Sequence, residues 1–170
     1  MAKTAKKGIP HQVNEPPVYC KSKNIGETEP NILDWLGGKR MIRTPVRSDF
    51  DLFIVGSEGI PKSSVDELAA KLGISRKSLA EDIFDLSVKT FERKSPAEKL
   101  DKRTSSHALE IAKLLQHALG VFEDEEKVRR WMNNENRALK GQKPVQFLGT
   151  LTGLTMINDI LGRIEEGVYS

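Results

Sequence analysis

The 170-residue sequence has little of what disulfide-bonded, secreted and membrane proteins carry. Its single cysteine, Cys20, excludes an intramolecular disulfide and a cysteine-rich zinc site, and is typical of a reducing compartment. No apolar run approaches the roughly 18 residues that a membrane helix needs. The basic start is followed by polar, proline-rich sequence rather than by the apolar core of a signal peptide. We therefore expect a cytoplasmic protein that has no membrane partner.

Side chains that usually carry catalysis are also scarce. Of the three histidines, His107 and His117 lie ten residues apart on one predicted helix and do not share a turn, as two metal ligands would. We expect these two and His11 to be solvated tail or helix-surface residues. Adjacent carboxylates such as Glu125 and Glu126 point to different sides of a helix, and no glycine-rich phosphate loop is present. The sequence predicts a protein that is not an enzyme and that uses no metal and no cofactor.

The excess of positive charge lies in the N-terminal part of the chain. Residues 1–48 hold 9 basic and 4 acidic side chains, whereas residues 49–170 hold 18 basic and 20 acidic ones, so the formal net charge of +3 comes from the first 48 residues. Four of the eight prolines lie in residues 1–30, where few large apolar groups are available to offset the entropy of ordering. We predict that residues 1–48 form a flexible arm, with Trp35 docking on the body.

From residue 49 on, capping signals and apolar positions at steps of three and four predict an all-α fold. The apolar run Phe50–Val55 fits either a strand or a helix, and the helix-rich remainder favours a helix. Ser64 and Glu67 form a capping box at the start of the next helix, and Gly73 supplies a left-handed stop. The clearest helix follows residues 104–106, where apolar positions continue to residue 122.

Two overlapping frames predict a helix-turn-helix. In the frame that we favour, Leu79–Ile83 is the supporting helix, Phe84–Leu86 is the turn, and residues 87–94 form a reading helix with three basic residues and one acidic residue. Its candidate DNA-binding residues are Ser87, Lys89, Thr90, Arg93 and Lys94. In the alternative frame the turn lies in the sequence L-A-A-K-L-G-I-S (Leu68–Ser75), and the reading helix opens with Arg76, Lys77 and Ser78. A plain helical core with a solvated charged face is the third interpretation.

The C-terminal third combines a helix end, a tight turn and a new helix. Asn136 and Gly141 are natural turn residues, and Pro144 suits the first position of the next helix. The last helix gives way at Gly167 to a short tail with an aromatic side chain at Tyr169. Such a tail can enter a pocket of a partner, and a frayed terminus is the alternative.

The chain from about residue 63 to residue 170 resembles the Xre/MbcA/ParS-type antitoxins of RES-domain toxin–antitoxin systems. Its most specific stretches are W-M-N-N-E-N-R-A-L-K-G-Q-K-P (Trp131–Pro144) and L-G-R-I-E-E-G-V-Y-S (Leu161–Ser170). The resemblance implies a homodimeric antitoxin that binds its cognate RES-domain toxin through the C-terminal domain. Those toxins are similar to ADP-ribosyl-transfer folds and use NAD.

The resemblance also implies where the two partners bind. The antitoxin tail is expected to cover the active site of the toxin, and the N-terminal helices are expected to bind operator DNA and repress transcription of the gene pair. An aromatic residue in such a tail gives a large contact area for little loss of rotamer entropy. The candidate toxin-binding residues are Arg163, Glu165, Gly167, Val168, Tyr169 and Ser170, together with Trp131 and Asn136.

These patterns divide the chain into three parts. Residues 1–48 are the flexible basic, proline-rich arm, residues 49–103 are a helix-turn-helix domain, and residues 104–170 are a small helical domain for dimerisation and toxin binding. The alternative function is a stand-alone, dimeric helix-turn-helix transcriptional regulator without a toxin partner.

Overall fold

The computed structural model describes residues 32–167, and the predictions for residues 1–31 and for Val168, Tyr169 and Ser170 lie outside the described residues. The described part is helical without strands, so the predicted all-α fold is confirmed. Its α-helices are α1 (Asp49–Glu58), α2 (Lys62–Leu72), α3 (Arg76–Ser78), α4 (Val88–Arg93), α5 (Lys102–Phe122), α6 (Glu125–Asn133) and α7 (Leu151–Glu165).

Shorter helical turns connect these helices. A π-helical turn, Leu79–Ile83, continues α3 directly, and four 3-10 turns cover Ile32–Leu36, Gly38–Arg40, Arg137–Leu139 and Pro144–Phe147. The run that we assigned to a helix from Phe50 to Val55 lies within α1. Within residues 32–167, no helix is long and apolar enough to cross a membrane.

The long helix α5 forms the centre of the core. It packs against α1, α7 and the Ile32–Leu36 turn. Its buried stripe includes Ala108, Ile111, Ala112 and Leu115, none of which exposes measurable surface. Small alanines alternate with larger groups along this stripe, which lets neighbouring helices approach closely. At Gly56 of α1, for example, a Cβ atom would lie 2.9 Å from the hydroxyl oxygen of a serine on α5.

The segment before α1 belongs to the core. Leu33, Trp35, Leu36, Ile42 and Val46 are all buried, which confirms that Trp35 docks on the body. The flexible arm that we predicted up to residue 48 is therefore wrong for residues 32–48, because burial of five large apolar side chains outweighs the charge and glycine content of this stretch.

Helix α2 begins two residues before the predicted capping box. Its cap residue is Pro61, and Ser64 lies buried inside the helix. The free N–H groups of Lys62 and Ser63 donate to the carbonyl oxygens of Glu98 and Pro96, both at 2.9 Å. A distant segment of the chain thus takes the place of the side-chain cap that Ser64 and Glu67 predicted.

Helix α5 also begins earlier than predicted. Its cap is Asp101, whose carboxylate accepts hydrogen bonds from the N–H and the hydroxyl of Thr104 at 3.0 and 2.7 Å. Thr104 and Ser105 are buried within the first turn. The Ser105 hydroxyl accepts a hydrogen bond from the Ile60 N–H at 3.0 Å, so it joins α5 to the start of α2.

Candidate functional site

The C-terminal end of α7 is held against α5 by its apolar face. Ile157, Ile160 and Leu161 are buried there, whereas Arg163, Glu165 and the following residues to 167 are exposed or half-exposed. Gly167 adopts the left-handed region with a φ of +70°, a conformation that ends a helix. The predicted toxin-binding tail, residues 168–170, therefore starts from an exposed point on a fixed helix.

A histidine of α5 connects to the last turns of α7. His117 Nδ1 lies 2.8 Å from Asn158 Oδ1, and His117 Nε2 lies 3.3 Å from Glu165 Oε2. These contacts span about two turns of α7, so they resist fraying at the end that carries the tail. Of the predicted toxin-binding residues, Glu165 is therefore bound within the chain, whereas Arg163 is exposed and its Nε donates to the carbonyl oxygen of Asp159 at 3.4 Å.

Trp131 of α6 lies against the C-terminal end of α5 and is not fully buried. It is half-buried, and its ring packs on Phe122 with the ring centroids 5.5 Å apart. The following residue, Met132, is fully buried. Helix α6 is thereby fixed to the C-terminal end of α5, and part of the Trp131 residue stays exposed.

Asn136 organises the turn after α6. Its side-chain oxygen accepts a hydrogen bond from the Ala138 N–H at 2.9 Å, and its backbone carbonyl accepts one from the Gly141 N–H at 2.9 Å. The backbone N–H of Asn136 donates to the Gln142 carbonyl at 3.0 Å. The predicted turn residues Asn136 and Gly141 are thus confirmed, and Pro144 opens the next helical turn as predicted.

The alternative helix-turn-helix frame corresponds to α2, a three-residue turn and α3. Gly73 adopts the left-handed region with a φ of +69°, and the Ser75 hydroxyl accepts a hydrogen bond from the Ser78 N–H at 3.0 Å. Two helices joined by a short turn that contains glycine are typical of a helix-turn-helix. Arg76 and Lys77 are exposed at the start of α3.

The basic groups of this frame have acidic neighbours. Arg76 Nε lies 3.2 Å from Asp66 Oδ1, and Lys77 Nζ lies 3.9 Å from Glu81 Oε2. Asp66 also accepts a hydrogen bond from Lys62 Nζ at 2.7 Å. The start of α3 therefore presents long basic side chains whose charge is partly balanced within the chain.

The frame favoured from the sequence, Leu79–Ile83 followed by α4, has a different geometry. Its supporting segment is a single π-helical turn, and its reading helix α4 has six residues. Phe91 is buried beneath Lys62, whose Nζ lies 4.7 Å from the ring centroid. Lys89 and Arg93 are exposed and form no ion pair with any residue from 32 to 167, whereas Lys94 pairs with Glu98.

Two further predicted residues complete this frame. Thr90 is exposed on α4. Ser87 occupies the cap position of α4, where its carbonyl accepts the Phe91 N–H at 2.9 Å but its side chain makes no capping hydrogen bond.

His107 differs from the prediction of a solvated side chain. It is half-buried, its Nε2 lies 2.6 Å from the Leu148 carbonyl oxygen, and its ring meets Phe84 edge-on with centroids 5.7 Å apart. The sequence did contain a signal, because His107 lies four residues before Ile111 on the buried stripe of α5. Within residues 32–167, no group of three or more His, Cys, Asp or Glu side chains is placed to hold a metal ion.

Comparison with known proteins matches both halves of the chain. Residues 56–113 match the model of the antitoxin Xre-like helix-turn-helix domain, and residues 117–167 match that of the antitoxin Xre/MbcA/ParS C-terminal toxin-binding domain. A curated relative, Antitoxin Xre of Photorhabdus laumondii, is 24% identical over 133 residues, which cover 77% of this chain and 89% of the relative. The two matches follow one another on the single body built around α5, and the chain belongs to the Xre/MbcA/ParS-type antitoxins.

Proposed function

We propose that this antitoxin neutralises a cognate RES-domain toxin by placing its C-terminal tail over the NAD-binding active site, and that it represses its own operon as a homodimer. The observation that carries the first part is the fixed, exposed end of α7. His117 holds this end through Asn158 and Glu165, and Gly167 ends the helix in the left-handed region. A tail that leaves a rigid helix loses less conformational entropy on binding than a tail on a frayed one.

Deletion of residues 168–170 tests this mode of neutralisation. The deletion keeps the buried side chains Ile157, Ile160 and Leu161 of α7, so we expect an unchanged circular dichroism spectrum and melting temperature. When the truncated antitoxin is produced together with the toxin, we expect NAD to be depleted. Tyr169→Phe is the matched control, because it keeps the ring and should neutralise as the unaltered chain does. Full neutralisation by the truncated antitoxin would refute tail insertion.

Arg163 and Trp131 extend the proposed toxin surface beyond the tail. Both have accessible side-chain surface near the C-terminal end of α5 and α7, within the part matched to the toxin-binding domain. Arg163→Ala is expected to weaken toxin affinity by about tenfold, since a charge-assisted hydrogen bond contributes about 1.5–3 kcal/mol. Isothermal titration against a catalytically inactive toxin measures the change.

For DNA binding, we propose different roles for the two basic stretches. The α2–α3 unit has the short glycine turn of a helix-turn-helix, which supports Arg76, Lys77 and Ser78 as the residues that contact base edges. Lys89 and Arg93 are exposed and form no ion pair within residues 32–167, which supports contact with the phosphate backbone. The other residues predicted from the sequence to contact DNA, Ser87, Thr90 and Lys94, flank this phosphate contact.

Two double substitutions distinguish these roles. Lys89→Ala with Arg93→Ala should weaken binding to operator and to random DNA alike, and should reduce the slope of log K against log salt by about 0.9 for each lost phosphate contact. Arg76→Ala with Lys77→Ala should instead reduce the preference for operator over random DNA. If Lys89→Ala with Arg93→Ala instead reduces the preference for operator over random DNA, residues 79–94 are the reading unit and the division of roles is wrong.

A further inference from the structure

Helix α1 carries apolar side chains on both of its faces. Leu52 and Val55 point into the core and are buried, but Phe50 and Phe53 on the outer face are 69% and 59% exposed. Their rings stack on each other with centroids 6.3 Å apart. A helix that is apolar on both faces is normally covered on both, and paired exposed aromatic rings are typical of a protein–protein contact.

A cleft opens directly beside these two rings. It lies between α1 and α5, has a volume of about 220 Å³, and has an apolar floor formed by Leu52, Phe53 and Leu109. Phe53 is both a wall of the cleft and a member of the exposed pair. One continuous surface therefore offers a protruding ring, Phe50, next to an apolar recess.

The rim of the cleft carries both signs of charge. Lys113 Nζ lies 3.1 Å from Asp49 Oδ1 and 3.4 Å from Glu110 Oε1. Burial lowers the pKa of Lys113, but the hydrogen bond with Asp49 and the charges of Glu110 and Asp49 outweigh this effect and raise it. On the other side, Lys102 Nζ lies 5.4 Å from the centroid of the Phe53 ring. The rim presents acidic and basic groups within a few ångströms of each other.

We infer that a second copy of this chain packs on this surface across a two-fold axis, with Phe50 of each copy entering the α1–α5 cleft of the other. A two-fold interface uses the same patch on both copies, so the patch must contain both halves of each contact. The ring and the recess meet this requirement, and so do the acidic and basic rim groups. Nucleic acid does not fit the patch, because its centre is aromatic and Asp49 is 80% exposed beside it.

The position of α1 also separates this surface from the proposed toxin contact. The other two large apolar side chains that are strongly exposed within residues 32–167, Leu151 at 70% and Met156 at 42%, lie on α7, in the part matched to the toxin-binding domain. Helix α1 lies outside that part. The inference rests on the proposed function only in that a homodimer presents two DNA-binding units. It adds α1 to the dimer contact, whereas the sequence predicted dimerisation through residues 104–170, of which the cleft includes only the part of α5 next to α1.

Sedimentation equilibrium of the full chain, without toxin or DNA, tests the inference. We expect the unaltered chain to be a dimer and Phe50→Asp to be a monomer, because the substitution places a carboxylate in the partner's apolar cleft. Phe50 is exposed in one copy, so the circular dichroism spectrum of the variant should not change. The matched control is Leu151→Asp, which alters an equally exposed side chain on α7 and should remain a dimer. A dimeric Phe50→Asp, or dissociation by Leu151→Asp alone, would overturn the inference.

Two further measurements exclude other occupants of the patch. If the unaltered chain is monomeric and associates only after residues 1–31 are deleted, its own N-terminal segment covers the patch and the inference is wrong. The Phe50→Asp variant should still bind toxin with unchanged affinity, while its affinity for a two-half-site operator falls by about a hundredfold through the loss of the second contact. Loss of toxin binding by this variant would instead show that α1 faces the toxin.

Discussion

Gly153 lies in the first turn of α7, directly above the 3-10 turn Pro144–Phe147, and its replacement by alanine tests how the toxin-binding end is positioned. A Cβ atom at this position would lie 1.9 Å from the Phe147 carbonyl oxygen and 2.8 Å from its carbonyl carbon. Real Cβ atoms keep at least 3.0 Å from such atoms. The start of α7 and Phe147 must therefore separate by about 1 Å, and because the obstacle is backbone, no side-chain rotation can relieve the clash.

The expected magnitude combines two opposing effects. Alanine is favoured over glycine inside a helix by about 1 kcal/mol, whereas overpacking against rigid backbone costs about 3 kcal/mol, at the upper end of the usual range. We expect Gly153→Ala to lower the free energy of unfolding by about 2 kcal/mol. Gly162→Ala, in the same helix with no atom within 4 Å of its Cβ position, lacks the clash and should raise it by about 1 kcal/mol.

Urea titration followed by circular dichroism measures both variants. With a slope of about 2 kcal/mol per M, the midpoint should fall by about 1 M for Gly153→Ala and rise by about 0.5 M for Gly162→Ala. Because the clash displaces the start of α7, and α7 carries the proposed toxin-binding end, Gly153→Ala should also weaken toxin binding. Operator binding should persist. A Gly153→Ala variant whose free energy of unfolding stays within about 0.5 kcal/mol of the unaltered chain would refute the close packing of α7 on the Phe147 turn.

Three further predictions concern the caps and the N-terminal part of the core. Asp101→Ala removes both hydrogen-bond acceptors for Thr104 and should cost about 1 kcal/mol in the same titration. Burial raises the pKa of Asp101, but the hydrogen bonds from Thr104 outweigh this effect and lower the pKa below 3.8. The stabilisation of the protein by this ionised cap is therefore complete above pH 3.8 and is lost as the pH falls through the lower folded pKa. Asp101→Asn, which cannot ionise, should reduce the steepness of acid unfolding. Trp35 is 2% exposed, so Trp35→Ala should lower the free energy of unfolding by about 3–5 kcal/mol. If it lowers that free energy no more than the exposed control Arg40→Ala does, residues 32–48 do not pack on the body. Asn136→Ala removes the acceptor for the Ala138 N–H and should lower the free energy of unfolding by about 1 kcal/mol. An unchanged melting temperature would contradict the role of Asn136 in the turn.

The sequence predicted the helices whose ends are fixed by neighbouring residues. Gly73 ends α2 in the left-handed region as predicted. The caps Ser75 and Asp124 likewise bond to N–H groups three residues further on, at 3.0 and 2.7 Å. The start of α2 could not be predicted in this way, since its first N–H groups bond to carbonyls more than 30 residues away in the chain. Capping signals describe local hydrogen bonds, whereas the fold decides which distant groups replace them.

The functional surfaces show the same limit. The turn at Asn136 and Gly141 was predictable because its hydrogen bonds are local. The run Phe50–Val55 has no clear period, so its residues alone do not show that Phe50 and Phe53 are exposed while Leu52 and Val55 are buried. That distinction arises only when α5 is placed beside α1, and with it appears the surface that we assign to a second copy.

Helix α5 is shared by the part matched to the helix-turn-helix domain and the part matched to the toxin-binding domain. The part matched to the helix-turn-helix domain ends at residue 113 and the part matched to the toxin-binding domain begins at residue 117, both inside this 21-residue helix. A continuous helix of that length is a rod of about 30 Å, with no hinge between the two parts. The number of residues in α5 therefore sets the angle between them, and one inserted residue would turn the toxin-binding end by about 100° relative to the DNA-binding end.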